Sequence, residues 1–358
     1  MTKLGVLFSV LGVGAGCIPA FAQKQLPNII VMLSDDQGWG DLGFTGNTFV
    51  QTPNIDRIAH EGTILENFYV CPVSSPTRAE FLTGRYHVRS GVNSTTGGGE
   101  RFNLGEKTIA EYFREAGYAT SLFGKWHSGT QYPYHPNARG FEEFYGFCSG
   151  HWGNYWNPVL EHNGEIISGE GFIIDDLTDK ALDYIRDHKE HPFFMFLSYN
   201  TPHSPMQVPD SWWNRVKDRT LSQRATFPEQ EDTTFTKAAL ALAENLDWNI
   251  GRVLSLLHSL DLEQETIVIY FSDNGPNSFR WNGGMKGRKG STDEGGVRSQ
   301  FCIRWPGHIR KGAVETQLSG AIDLIPTLLG LAGIEYTPLR KLDGIDWGQR
   351  LLDEKAPA

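Results

Sequence analysis

Residues 27–36 read Pro-Asn-Ile-Ile-Val-Met-Leu-Ser-Asp-Asp. From Asn28 to Leu33 the stretch is almost wholly apolar and too short for an ordinary helix, which is the pattern of a strand covered on both faces. Three more runs outward along the chain read the same way: Tyr118 to Phe123, Phe193 to Tyr199 and Thr266 to Phe271. Helical patterns lie between them. Thr108 to Ala116 opens with a capping box of Thr108 and Glu111 and stops at Gly117, and Leu177 to His188 and Phe235 to Leu260 carry apolar residues three and four apart. Alternating strand and helix predicts an α/β fold with a largely parallel, doubly wound sheet.

In such a sheet the ligand sits beyond the carboxyl ends of the strands. A polar cluster follows each predicted strand: Asp35-Asp36, Lys125-Trp126-His127, Thr201-Pro202-His203 and Asp273-Asn274-Gly275. The clusters are therefore expected to converge. Asp35, Asp36, Asp273 and Asn274 supply hard oxygen ligands, which suit calcium or magnesium better than zinc; the ordinary reading of each pair is turn chemistry. Lys125 and His127, two apart in extended backbone, would point the same way and hold one anion. His203 stands between Pro202 and Pro205 in a stiff loop that suits a positioned acid or base.

From Cys71 the chain runs Cys-Pro-Val-Ser-Ser-Pro-Thr-Arg-Ala-Glu-Phe-Leu-Thr-Gly-Arg to Arg85. Pro76 fits the first turn of a helix through Leu82, which places Ser74 at a helix N-terminus where an anion is favoured. On the residues alone, Ser74 reads as a helix cap rather than a nucleophile and Arg78 as a surface charge. Ser94 to Gly99 and the Gly-rich segment Trp281 to Gly296, with Lys286, Arg288 and Lys289, read as loops at the rim of the site.

The net charge of −10 disfavours nucleic acid or an anionic membrane as partner, so an anionic substrate needs a local cluster of cations. Lys3, the apolar stretch Leu4 to Ala15 and Ala20-Phe21-Ala22 make residues 1–22 read as a signal peptide, with a lipoprotein cut before Cys17 as the alternative. The mature chain is expected to be periplasmic or secreted, with no transmembrane segment. Cys71, Cys148 and Cys302 then remain, too few for a disulfide scaffold.

Taken in order, Pro27 to Asp41, Ser74-x-Pro-x-Arg78, Leu-Thr-Gly-Arg85, Gly124-Lys-Trp-His127, Thr201-Pro-His203, Ser272-Asp-Asn-Gly275 and Lys289-Gly-Ser-Thr-Asp-Glu-Gly-Gly296 closely resemble the type I (formylglycine) sulfatases. The resemblance covers nearly all of residues 27–330 and implies an alkaline phosphatase-like α/β/α sandwich. It implies that Ser74 is oxidised to formylglycine, since Cys71 has Val73 and Ser75 has Thr77 where the motif needs proline. A serine-type maturation enzyme would be a required partner. Asp35, Asp36, Asp273 and Asn274, with the modified Ser74, would bind one calcium ion, and Arg78 would stabilise the formylglycine hydrate. Lys125, His127, His203 and Lys289 would surround the sulfate, with His203 protonating the departing alcohol and His127 taking a proton from the hydrate to release sulfate. Asp293 stands where the family commonly has an aromatic residue. The resemblance also divides the chain into a catalytic domain over 23–335 and, over 336–358, the start of a truncated C-terminal antiparallel subdomain.

Loop aromatics (Trp152, Tyr155, Trp156, Trp212, Trp213 and Trp281) offer faces for sugar rings, and Glu100, Arg101, His151 and Arg280 offer polar contacts, so a sulfated carbohydrate is the expected substrate. Two other readings are a phosphatase or phosphodiesterase of the wider superfamily, using an unmodified hydroxyl and two zinc ions, and an unmatured sulfated-glycan binding protein.

Overall fold

The computed structural model describes residues 26–353, together with Met1 and Thr2. The signal-peptide reading, with Cys17, falls almost entirely outside the described residues. A ten-stranded sheet is built from β1 (Asn28–Ser34), β2 (Thr63–Leu65), β3 (Ala119–Lys125), β4 (Glu143–Phe147), β5 (Val159–His162), β6 (Glu165–Ser168), β7 (Phe193–Ser198), β8 (Thr266–Ser272), β9 (Phe301–Arg304) and β10 (Ala313–Glu315). Its order is β10-β2-β9-β8-β1-β7-β3-β4-β5-β6. The four strands read from the sequence are the adjacent centre, β8-β1-β7-β3, and every pairing among them is parallel. The flanks turn antiparallel, at β9 against β8 on one side and at β5 and β6 on the other.

Strand alternation divides the core into two layers. Ile29, Val31 and Leu33 of β1 face one side, with Phe194, Phe196 and Ile269. There they meet α2 (Ser74–Thr83), α3 (Ile109–Glu115) and α6 (Leu324–Ala332) through Phe81, Phe113 and Ile325. Ile30 and Met32 face the other side, against α1 (Pro53–Glu61), α4 (Ile173–Asp187) and α5 (Thr233–Ser259), through Ile58, Leu177 and Ile250. Each such side chain contributes about 1.5–3 kcal/mol by leaving water. The result is an α/β/α sandwich.

The capping box is present: Thr108 Oγ1 accepts from Glu111 N and the Glu111 carboxylate accepts from Thr108 N. The helix predicted from Leu177 begins earlier, at Ile173, because Ile173 and Ile174 are both buried in its first turn. Residues 336–353 pack on the main core, where Trp347 and Leu351 join the layer holding Ile325 and Leu328. The three cysteines of the described residues are unbridged and buried. Among the described residues no helix is long and apolar enough to cross a membrane.

Candidate active site

The four polar clusters do converge above the carboxyl ends of β8-β1-β7-β3. Asp35 and Asp36 leave β1 and Asp273 and Asn274 leave the neighbouring β8; all four are fully buried. Asp36 has a left-handed backbone, φ 64°, which turns its carboxylate toward β8: its N–H donates to Asp273 Oδ1 (3.2 Å) and its Oδ1 accepts from Asn274 Nδ2 (2.8 Å). Such backbone costs about 1–3 kcal/mol and persists where the surrounding structure demands it.

Ser74 is the first helical residue of α2. The N-cap is Val73, and no side chain caps the helix, so the helix-cap reading of Ser74 does not hold. Its hydroxyl instead points into the carboxylates. Ser74 Oγ donates to Asp273 Oδ2 and accepts from Lys125 Nζ (3.0 Å) and Arg78 Nε (3.1 Å). Arg78, one turn further along α2, is wholly buried rather than on the surface, and its remaining donors reach Asp273 Oδ2 (3.1 Å), Ser198 Oγ (2.6 Å) and the Lys125 carbonyl (3.1 Å). Ser198, at the end of β7, therefore ties Arg78 to β3, a role that nothing in its sequence surroundings marked.

Lys125 ends β3 and bonds Asp35 Oδ2 at 2.6 Å. Gly124 precedes it with φ 112°, and a Cβ there would lie 1.9 Å from the Ser198 carbonyl, so only glycine lets the two strand ends approach this closely. His127 reaches the cleft differently from the expected strand alternation. The strand stops at Lys125, and His127 takes φ 60°. Its Nε2 lies 2.9 Å from the Thr95 carbonyl; a carbonyl only accepts, so Nε2 carries the proton and the buried, unpartnered Nδ1 carries the lone pair. Burial, reinforced by Lys125, pulls its pKa down to about 2, so the ring is neutral.

Opposite stand His203, with Nε2 3.5 Å from Asp36 Oδ2, and Lys289, with Nζ 2.7 Å from Asp36 Oδ1. His203 Nδ1 donates to the Ser204 carbonyl (2.7 Å), and its own carbonyl accepts from the buried Tyr155 hydroxyl (2.7 Å), which fixes the loop. Lys289 is far from a freely solvated charge. Burial opposes its charge, but Asp36 and Asp35 outweigh burial and raise its pKa. Lys286, by contrast, is exposed and pairs with Asp293 at 3.2 Å.

Burial works against charge on Asp35 as well, yet Lys125, His203, Arg78 and Lys289 hold its carboxyl well below the ordinary range. Burial pushes Asp273 up, and the neighbouring Asp35 carboxylate adds to the rise. Burial lowers Lys125, partly offset by Asp35. Clustered carboxylates of this kind favour a cation among them. The donor set fits one: the buried Asp35 Oδ1 and Asn274 Oδ1 have no hydrogen-bond partner among the described residues.

Ser74, Lys125, His127, His203 and Lys289 line one cleft of about 400 Å³, together with Thr95, Thr96, Ser149, Gly150 and His151. Of the expected substrate contacts, His151 lies in this cleft, its ring 5.3 Å from that of His203. Partial burial and His203 lower the His151 pKa. Glu100 and Arg101 follow the Ser94–Gly99 rim loop and do not line the cleft; Glu100 accepts from Gly98 N and Arg101 stacks on Tyr134. Trp152 stacks on Phe147 at 5.0 Å against the core. Arg280 is buried with all five N–H donors occupied, by Asp41, Asn277, Ser278 and the Asp36 carbonyl. It braces the Asp36 turn instead of facing the cleft. Trp281 packs over Gly40, whose added Cβ would lie 2.9 Å from its ring. Thr95 and Thr96 belong to the rim loop expected from the sequence; Tyr155, expected as a face for a sugar ring, is instead buried under the His203 loop, and Ser149 and Gly150 carried no comparable signal.

The family model described as Sulfatase matches residues 27–334. The chain is 32% identical to the N-acetylgalactosamine-6-sulfatase of Sus scrofa over 377 aligned residues, which cover 95% of this chain and 68% of that protein. Among solved structures it resembles Ps i-CgsB in complex with k-i-k-neocarrahexaose, at TM-score 0.80 and 31% identity, over 91% of this chain and 76% of that one. It also resembles a structure from work on the metabolism of multiple glycosaminoglycans by Bacteroides thetaiotaomicron, at TM-score 0.79 and 25% identity, over 93% and 78% of the two chains.

Proposed function

Because this chain belongs to the sulfatase family and hydrolyses sulfate esters, we propose that its reactive group is formylglycine made from Ser74, beside one calcium ion, and that its substrate is a sulfated glycan or glycan-derived sugar. The observation that carries this reading is the meeting of Lys125, Arg78 and Asp273 at the single oxygen Ser74 Oγ. The names of similar proteins, an N-acetylgalactosamine-6-sulfatase and a protein bound to a neocarrahexaose, support a sugar.

Asp35, Asp36, Asp273, Asn274 and the modified side chain would hold the calcium. When present, the aldehyde hydrate supplies the attacking oxygen and the metal lowers its pKa. The chain's own groups do the rest. Lys125 Nζ offsets negative charge next to the attacking oxygen, and Arg78 Nε fixes that oxygen's position. Lys289 places a second positive charge across the cleft. In its imidazolium form His203 keeps Nδ1–H on the Ser204 carbonyl and would give the proton on Nε2, which lies beside Asp36 Oδ2, to the departing sugar oxygen. His127 is neutral, and its Nδ1 lone pair can take the proton whose removal releases sulfate.

We read residues 1–22 as an export signal, so the enzyme would work in the periplasm or outside the cell and would depend on a serine-oxidising maturation enzyme. Mass spectrometry of the Ser74 peptide from the native host tests the proposal. The expected result is loss of two hydrogens, and an unmodified serine in protein that still turns over sulfate esters overturns it. Metal analysis separates the phosphatase reading, which calls for two zincs and not one calcium.

A further inference from the structure

Away from the cleft, three side chains of different elements turn toward one point. Cys71 lies in the turn before α2, Glu80 lies on α2, and His87 opens the short helix His87–Ser90. His87 Nδ1 is 2.8 Å from Glu80 Oε1 and 3.4 Å from Cys71 Sγ, and the three atoms all lie within 4.8 Å of one another. Cys71 and Glu80 are buried, and both wall a cavity of about 440 Å³ on the far side of the turn from the catalytic cleft. We infer that Cys71, Glu80 and His87 form a second metal site, for a zinc-class transition ion, with its fourth position open to that cavity.

The donor chemistry separates this site from the catalytic one: thiolate and imidazole select zinc-class ions, whereas the cleft offers oxygen ligands. Bonds of about 2.0 Å to nitrogen and oxygen and about 2.3 Å to sulfur, arranged tetrahedrally, set ligand atoms roughly 3.3–3.6 Å apart. The His87–Cys71 separation already matches, and Glu80 has to retreat by about half an ångström. Protons balance as follows. In the metal-free site His87 Nδ1–H donates to Glu80; on binding, that proton moves to Nε2 of the partly exposed ring, the Cys71 thiol proton goes to solvent, and the thiolate and carboxylate neutralise the dication. The other mixed cluster, His135, Cys148 and Glu161, lacks this freedom: His135 Nδ1 already accepts from Asn137 N, so Nε2 must keep its proton for Glu161.

An ion here would join the turn that leads into Ser74 to the second turn of α2. The Pro72 carbonyl of the same turn accepts from Gly290 N (2.8 Å), next to Lys289, so the tether would extend to the loop carrying that cation.

Cobalt(II) added to the full-length protein in saturating calcium provides the test. One equivalent should produce a near-ultraviolet thiolate-to-cobalt charge-transfer band, lost in Cys71→Ala and kept in Cys148→Ala. No band in the wild type, or a band that survives Cys71→Ala, overturns the site. Should Cys71→Ala fail to fold by circular dichroism, zinc affinity of His87→Ala decides: a fall of about tenfold or more is expected, and unchanged affinity overturns it.

Discussion

Two cavities in this molecule invite comparison. The one above the central strands measures about 400 Å³, and another, between β3, β4, β6 and α4, measures about 750 Å³. The larger is lined by Glu142, Glu143, Glu170, Asp183 and Asp187, with Lys180, His162 and His188 as its cationic or titratable counterparts. Glu143 is already bonded by His162 and Asn163, and Glu142 by Thr120. An anion entering there meets an excess of negative charge. In the smaller cleft Lys125, Lys289, His127 and His203 face inward around Ser74. Volume therefore does not mark the place of chemistry in this protein; the arrangement of charge does, and it lets a chain of net charge −10 receive sulfate at one point.

The comparison breaks most easily at Ser74. Ser74→Ala should cost on the order of 10⁴-fold or more in kcat for sulfate release, and a fully active alanine variant would remove the smaller cleft from consideration. Next is Lys125→Ala, expected to lower kcat by roughly 10²–10³-fold. It also strips Asp35 of its nearest cation, and the loss of a buried partner of this kind costs about 3–5 kcal/mol in denaturant unfolding. Gly150→Ala comes third: the new Cβ would lie 2.2 Å from His127 Nε2 and push the ring off the Thr95 carbonyl. A kcat loss of roughly 10–100-fold is expected, with KM little changed.

A smaller effect asks whether cations or burial set the charge of buried carboxylates. Asp247 is buried like Asp35, but accepts only N–H groups, from Asn54 and Ile55, and burial raises it to about 7. Its folded pKa lies above the unfolded value near ~3.9, so its contribution to stability is complete below about pH 4 and is lost as pH rises through about 7. Wild type should therefore lose more unfolding free energy than Asp247→Asn between about pH 5 and about 8; equal slopes contradict the contrast with Asp35. Smallest of all is Lys180→Ala in the larger cavity, which should change kcat/KM by less than about twofold.

Legibility in the sequence followed burial. Strands covered on both faces, such as Ile29 to Leu33, appear as apolar runs, and the polar residues that end them mark the site. The antiparallel flanks leave little trace because strands as short and exposed as Glu165–Ser168 carry no such run. Helix α1 is faintly marked by comparison, with Pro53 at its start and Ile55, Ile58 and Ala59 as its buried face. Within the site, residue identities were readable but orientations were not: Arg78 as a buried clamp, and His127 and Asp36 as left-handed turns, depend on contacts between distant segments. The rim was least legible. A tryptophan that packs, such as Trp152 or Trp281, has the same letter as one that stacks on a sugar.

The left-handed turns at Asp36 and His127 and the glycine at Gly124 anchor the reacting groups to the parallel centre, whereas Thr95, Thr96 and His151 belong to loops that cross the cleft's mouth. The arrangement is layered: the strand ends carry the reacting groups, and the loops both brace His127 and His203 and line the rest of the cleft. Redesign, in the laboratory or over evolutionary time, therefore has room at side chains such as Thr96 and His151, whereas the Thr95 carbonyl, Gly150 and Tyr155 in the same loops hold His127 and His203 and have to stay.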